Sequence, residues 1–250
     1  SWFTDGCTAL LSLTEPPDFL GTLHAGDYGE GTTLYEHNGF VRTISAVGDD
    51  LKCVVMSNGS ASCWGDNEWG ALGDGEGGWG FDGSGGSGEE WTTSPTTYVL
   101  FPEGKTAISI SSGHWAACSV MDDGSVYCWG ENGDAGGYAY PEQMDIGGAE
   151  ATDVSFRSES GSGNVNVPCI LLENGSIYCW PNGQFSSGGD PTPPTQQPLP
   201  GPAVSIDGEY AILDNGSVYS FVDYGNGPSG YIDLPDGMGA IFVSDGGGYA

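Results

Sequence analysis

The segment CVVMSNGSASCWG, from Cys53 to Gly65, decides the fold, because the chain repeats it. It returns as CSVMDDGSVYCWG from Cys118 and as CILLENGSIYCWP from Cys169. A fourth version, YAILDNGSVYSFV, starts at Tyr210. In each copy an apolar run of strand formers leads into Asn-Gly or Asp-Gly, and a second run rich in Val, Ile or Tyr follows. That order is a β-hairpin signal. Glycine supplies the positive φ of the turn, and Asn or Asp tolerates the same region. The predicted hairpins span 53–63, 118–128, 169–179 and 210–220.

A further strand precedes each hairpin: TISAVGDD before Cys53, AISISSGH before Cys118, TDVSFRSE before Cys169 and AVSIDGE before Tyr210. AIFVSDGG near the end repeats that opening strand. Each unit therefore needs at least three short antiparallel strands. One such unit cannot bury both of its faces, whereas radial stacking against its copies can. The copies are unevenly spaced, as expected when insertions collect in loops. The expected class is all-β: a β-propeller of about five blades or part of a seven-bladed ring. Residues 1–42 read as a divergent first blade or N-terminal segment, and 43–250 as the repeat blades.

The cysteines bear on this register. If Ser57, Asn58 and Gly59 form a three-residue loop with a glycine bulge, Cys53 stands directly opposite Cys63. The same register pairs Cys118 with Cys128 and Cys169 with Cys179. Opposed positions of that kind bring Cβ atoms near disulfide range. The fourth copy has Tyr210 and Ser220 at the two places, so both cysteines are lost together, as a bonded pair requires. Buried free thiols and metal ligands are the competing readings. The clustered Cys-x-x-Cys of a metal site does not occur. Disulfides imply an oxidising, extracellular or cell-surface address. Cys7 is the odd one, either free or paired between chains.

Composition narrows the function. The 250 residues carry 34 acids against 4 bases, a net charge of -30. Nucleic-acid binding needs Lys and Arg to displace phosphate counterions, so it is excluded as an expectation. No apolar run approaches the length of a membrane helix, so membrane insertion is not expected. The 45 glycines fit many turns between short strands. With 12% aromatics the chain does not read as an acidic disordered segment.

The stretches CWGDNEWGALGDG (63–75) and CWGENGDAGGY (128–138) resemble the regulator of chromosome condensation repeat, in the cysteine-bearing form found in prokaryotic surface or secreted proteins. The resemblance runs over roughly 40–250, is specific in the first two copies and fades in the fourth. It implies seven-bladed propellers of about 50 residues per blade. The chain is short for that, so either it is part of a longer protein or its ends complete a shared blade. The nucleotide-exchange activity best known in the family does not carry over, because no basic tail is present and disulfides do not suit a nucleus.

Several candidate sites remain. The longest insertion, 66–97, places Trp69, Trp79, Phe81 and Trp91 among glycines and acids, as a loop binding a protein partner or a sugar would. The alternative is that Trp69 and Trp79 pack beneath their own loop. Asp66, Asp74, Glu76 and Asp82 offer oxygens to Ca2+ but lack an EF-hand or nonapeptide spacing. No other cofactor is expected. Asn58, Asn174 and Asn215 each stand in Asn-Gly-Ser, a glycosylation sequon that the turn alone also explains. His114, before a strand, reads as structural. The proline run 191–202 reads as an extended connector. No nucleophile elbow or phosphate loop is present, and no carboxylate pair stands out, so catalysis is not expected. The functional expectation is an extracellular or cell-surface interaction module, such as a subunit of a self-assembling surface layer or filament. Alternatives are a secreted binder of a carbohydrate or protein ligand, and a hydrolase using unrecognised acids.

Overall fold

In the computed structural model the chain divides into Ser1–Glu36 and His37–Ala250. The structure describes residues 41–47 (backbone), 51–67, 69–76, 98–131, 137–157, 167–180, 193–222, 230–235, 238–241 and 243, all in the second unit. Cys7, Trp79, Phe81, Asp82 and Trp91 lie outside the described residues. Among the described residues every regular element is a strand, and no helix is long and apolar enough to cross a membrane.

The strands form four antiparallel sheets, each a propeller blade. Blade I holds β1 (Val41–Val47), β2 (Leu51–Met56) and β3 (Ala61–Gly65). Blade II holds β4 (Ala107–Ser112), β5 (Ala116–Met121), β6 (Val126–Glu131) and β7 (Gly137–Gln143). Blade III holds β8 (Ala151–Arg157), β9 (Val167–Leu172), β10 (Ile177–Cys179) and β11 (Thr195–Gln196). Blade IV holds β12 (Ala203–Asp207), β13 (Tyr210–Leu213), β14 (Val218–Ser220) and β15 (Gly230–Ile232). The outer strands β7, β11 and β15 extend the three-stranded unit expected from sequence. Thr195–Gln196 lies inside the proline run, so that connector also supplies an outer strand. The inner strands β1, β4, β8 and β12 lie side by side in chain order.

The hairpin register is the one set by the turn. Cys53 faces Cys63, Cys118 faces Cys128 and Cys169 faces Cys179, and each pair is a disulfide within its blade. Tyr210 faces Ser220 at the same height in blade IV.

Hydrophobic cores form between blades. Alternate residues of a strand point to opposite faces, so blades II and III each contribute one face to the seam before and the other to the seam after. Leu51, Cys53, Val55 and Cys63 of blade I bury against Ile110, Met121, Tyr127 and Trp129 of blade II. Cys118, Val120, Val126 and Cys128 of blade II meet Val154, Phe156, Ile170 and Trp180 of blade III. Cys169, Leu171, Ile177 and Cys179 of blade III meet Ile206, Ala211, Leu213 and Phe221 of blade IV. Every disulfide thus faces the following blade.

Polar bonds set the blades at one level. Ser111 Oγ accepts the Phe156 N–H at 3.2 Å, and Ser155 Oγ accepts the Gly208 N–H at 2.8 Å. These serines occupy equivalent places, opposite Cys118 and Cys169. Ser109 Oγ donates to Asp153 Oδ1 at 2.6 Å, and Ser155 Oγ donates to Asp207 Oδ1 at 3.3 Å. Burial holds the half-buried Asp153 carboxyl above the usual carboxylate range, against the Ser109 and Val154 hydrogen bonds, which favour its anion.

Candidate functional site

An antiparallel meander gives each blade two ends. The hairpin turns and the connections between blades share one end, called here the turn face. The loops between inner and second strands, and between third and outer strands, share the other, the loop face.

On the loop face, the segment after β3 of blade I is tied by Asn67. This side chain is 2% exposed. Its Oδ1 accepts the Leu72 N–H at 3.0 Å, and its Nδ2 donates to the Glu76 carbonyl at 3.1 Å. Gly70, Gly73 and Gly75 turn the backbone at φ 75°, 69° and 83°. Ala71 and Leu72 are thereby pressed into the seam with blade II, where Trp129 Nε1 donates to the Ala71 carbonyl at 2.8 Å. A Cβ on Gly73 would lie 2.8 Å from Trp129 Nε1, and one on Gly70 2.6 Å from the Ala139 Cα. Glycine is needed at both places for the close approach as well as for the turn.

Aromatic side chains follow this seam. The half-buried Trp69 lies 6.4 Å from Trp115, centroid to centroid, and His114 meets Trp115 edge-on at 4.2 Å. Tyr140, on β7, packs over Gly75 and remains 55% exposed. Trp69 therefore anchors its loop to the next blade and does not stand free in the solvent. The other three aromatics of the insertion lie outside the described residues.

Of the residues considered for Ca2+, Asp66, Asp74 and Glu76 are described and Asp82 is not. Asp74 Oδ1 caps the Glu76 N–H at 3.1 Å, a local turn contact. Among the described residues no group of three His, Cys, Asp or Glu side chains is placed to hold a metal ion.

On the turn face, Asn58, Asn174 and Asn215 are exposed. Asp123 fills the equivalent place in blade II. Its carboxylate is bound by the Lys105 ammonium and accepts the Ser125 N–H and Oγ–H at 3.1 and 2.6 Å. Those hydrogen bonds, led by Lys105, lower its pKa to about 2.

The turn glycines carry a role that the sequence did not disclose. Gly59, Gly124, Gly175 and Gly216 accept, through their carbonyls, the N–H of Ala107, Ala151, Ala203 and Ala240 at 2.9, 3.0, 2.9 and 2.9 Å. Each acceptor belongs to one repeat and each donor opens the next. The sequence signal that recurs is the alanine opening each following repeat, Ala107, Ala151, Ala203 and Ala240, at varying distances from the turn glycine.

The Regulator of chromosome condensation (RCC1) repeat model matches residues 107–135, which cover β4 to β6. Among solved structures, yeast RCC1 (Prp20) bound to Kap60 is similar with a TM-score of 0.56 at 15% identity. That match covers 87% of this chain and 54% of the yeast protein. Human WBSCR16 is similar with a TM-score of 0.55 at 14% identity, over 72% of this chain and 46% of that one. The chain spans about half the length of these structures. The matched repeat, the antiparallel blades and the seams between them show that the described part of this chain has the fold of an RCC1-like β-propeller.

Proposed function

We propose that this protein is an extracellular or cell-surface interaction module that receives a protein partner on its loop face. The carrying observation is the disulfide in each of three successive blades, every sulfur sealed in an interblade core. Such bonds persist in oxidising compartments and are rare elsewhere. The propeller architecture supports interaction over catalysis, since blades stack into a rigid frame that presents loops. Yeast RCC1, of the same fold, was solved bound to a protein, Kap60. On the loop face the partner meets the exposed Tyr140 and Glu76. Self-assembly into a surface layer or filament is the homotypic version of this reading.

Two measurements test it. Membrane-impermeant biotinylation of intact native cells, with assay of the medium, is expected to find the protein outside the membrane; a protein that stays wholly protected inside overturns the address. A photo-crosslinking residue at Glu76, on the loop face, is expected to trap one discrete partner or a second copy. The same group at Gly147, on the turn face, is expected to trap none. Equal or absent trapping at both positions contradicts the loop-face assignment.

A further inference from the structure

The fold writes the same tripeptide three times at one end. Asn58, Asn174 and Asn215 occupy the turns between second and third strands of blades I, III and IV, each followed by Gly and Ser. Turn chemistry selects this triplet, because Asp123-Gly124-Ser125 makes equivalent bonds in blade II. The triplet is at the same time an acceptor sequence for N-linked glycans.

The atoms are arranged for that chemistry. Asn58 Oδ1 accepts the Ser60 N–H at 3.0 Å and the Ser60 Oγ–H at 2.8 Å. Asn174 Oδ1 accepts the Ser176 N–H at 2.9 Å, and Asn215 Oδ1 accepts the Ser217 N–H at 2.9 Å. In all three the oxygen is engaged, while Nδ2, the atom that a glycan would join, bonds to no described residue. All three side chains are exposed. The neighbouring blade lies behind the turn glycine and not over the asparagine, since the close contacts of Thr106 and Pro202 are made to Gly59 and Gly175.

Two of the sequons sit inside a disulfide loop and one does not. Asn58 lies between Cys53 and Cys63, and Asn174 between Cys169 and Cys179. Asn215 lies between Tyr210 and Ser220, which form no covalent clip. A transferase must draw the acceptor segment into an extended conformation, and a closed ten-residue clip resists this.

We infer that Asn58, Asn174 and Asn215 are N-glycan acceptors on the turn face, and that closure of the blade disulfides competes with modification of the first two. The inference rests on the extracellular address proposed above. In the reaction the amide nitrogen attacks the anomeric carbon of a polyprenyl-diphosphate-linked oligosaccharide. The C–N bond forms, the C–O bond to the diphosphate breaks, and one amide proton is lost. Glycans then stud the turn face and leave the loop face bare for a partner.

The test is glycopeptide mapping of the protein isolated from the organism that makes it. Enzymatic release in heavy-oxygen water separates glycan removal from spontaneous deamidation, to which Asn-Gly is prone. The expected result is a glycan at Asn58, Asn174 and Asn215 and none at Asp123, with the highest occupancy at Asn215. A reductant present during synthesis is expected to raise Asn58 and Asn174 to the level of Asn215. Ser60→Ala, Ser176→Ala and Ser217→Ala are each expected to remove one glycan with the asparagine in place. Asn58→Asp, which copies blade II, keeps the turn if the serine variant fails to fold. Unmodified asparagines in material whose six blade cysteines are paired overturn the inference and leave the address standing; free thiols overturn both. Occupancy that is uniform with and without reductant overturns the competition.

Discussion

The carbonyl of Gly59, in the hairpin turn of blade I, accepts the N–H of Ala107, the first residue of the inner strand of blade II, at 2.9 Å. The pair joins a local feature, a turn that needs φ of 78°, to a long-range one, the seating of one blade on the next. A Cβ on Gly59 would fall 1.8 Å from Thr106 Cγ2. In the equivalent turns it would fall 2.8 Å from Glu150 Cβ at Gly124, 2.5 Å from Pro202 Cβ at Gly175 and 3.2 Å from Gly239 Cα at Gly216.

Alanine at these glycines is therefore expected to destabilise in a graded series. All four changes carry the left-handed backbone cost of about 1–2 kcal/mol. Gly59→Ala and Gly175→Ala add an overpacking cost of roughly 1–3 kcal/mol. Gly216→Ala adds little. Urea midpoints of the four variants check the order, and equal losses at Gly59 and Gly216 would show that the turn alone matters.

Trp129 supplies a second test. Its ring is fully buried and its Nε1 bonds to the Ala71 carbonyl across the seam. Trp129→Phe keeps most of the apolar contact but strands a buried acceptor, at a cost of about 1–3 kcal/mol. Trp64, the equivalent residue of blade I, is only half-buried. Trp64→Phe is expected to cost less when both variants are unfolded thermally under the same conditions.

Asp153 gives the fold a pH dependence of defined sign. Burial raises its folded pKa above the unfolded value of about 3.9. A raised carboxyl favours the protonated form in the native state. That contribution is complete below the unfolded pKa and is lost as pH rises through the folded pKa. Asp153→Asn is thus expected to be more stable than the native chain at neutral pH, with the advantage shrinking toward about pH 4. A difference that is flat or grows on acidification would reverse the sign. Asp123, whose pKa is lowered to about 2, works oppositely: its contribution fades only as pH falls toward that value.

Much of this architecture is legible in one repeat. The Asn-Gly turn between alternating strand formers fixes the hairpin, and the turn length fixes the register, so Cys53 opposite Cys63 follows from local chemistry. The outer strands were harder to see. Thr195–Gln196 is a two-residue strand among prolines, held by pairing to β10 with no periodic signal of its own. The seams are long-range, so neither the clasp made by Asn67 nor the docking of Trp69 on Trp115 is written in the spacing of the loop. Gly59 reads as a turn residue from its neighbours, and only the adjoining blade reveals its second use.

Removing a clip tests its share of stability. For a loop of ten residues, the chain-entropy account gives about 2.5–3 kcal/mol. The double variant Cys169→Ala, Cys179→Ala is expected to lose about that much, together with some packing against Leu213 and Phe221. Chemical denaturation read by the fluorescence of Trp180 checks it.

Peptide mapping under non-reducing conditions tests the central arrangement most directly. The account predicts three crosslinked products: Cys53 with Cys63, Cys118 with Cys128, and Cys169 with Cys179, all resistant to reduction until the blades are unfolded. Crosslinks between different repeats, or six alkylatable thiols in the native protein, would contradict it.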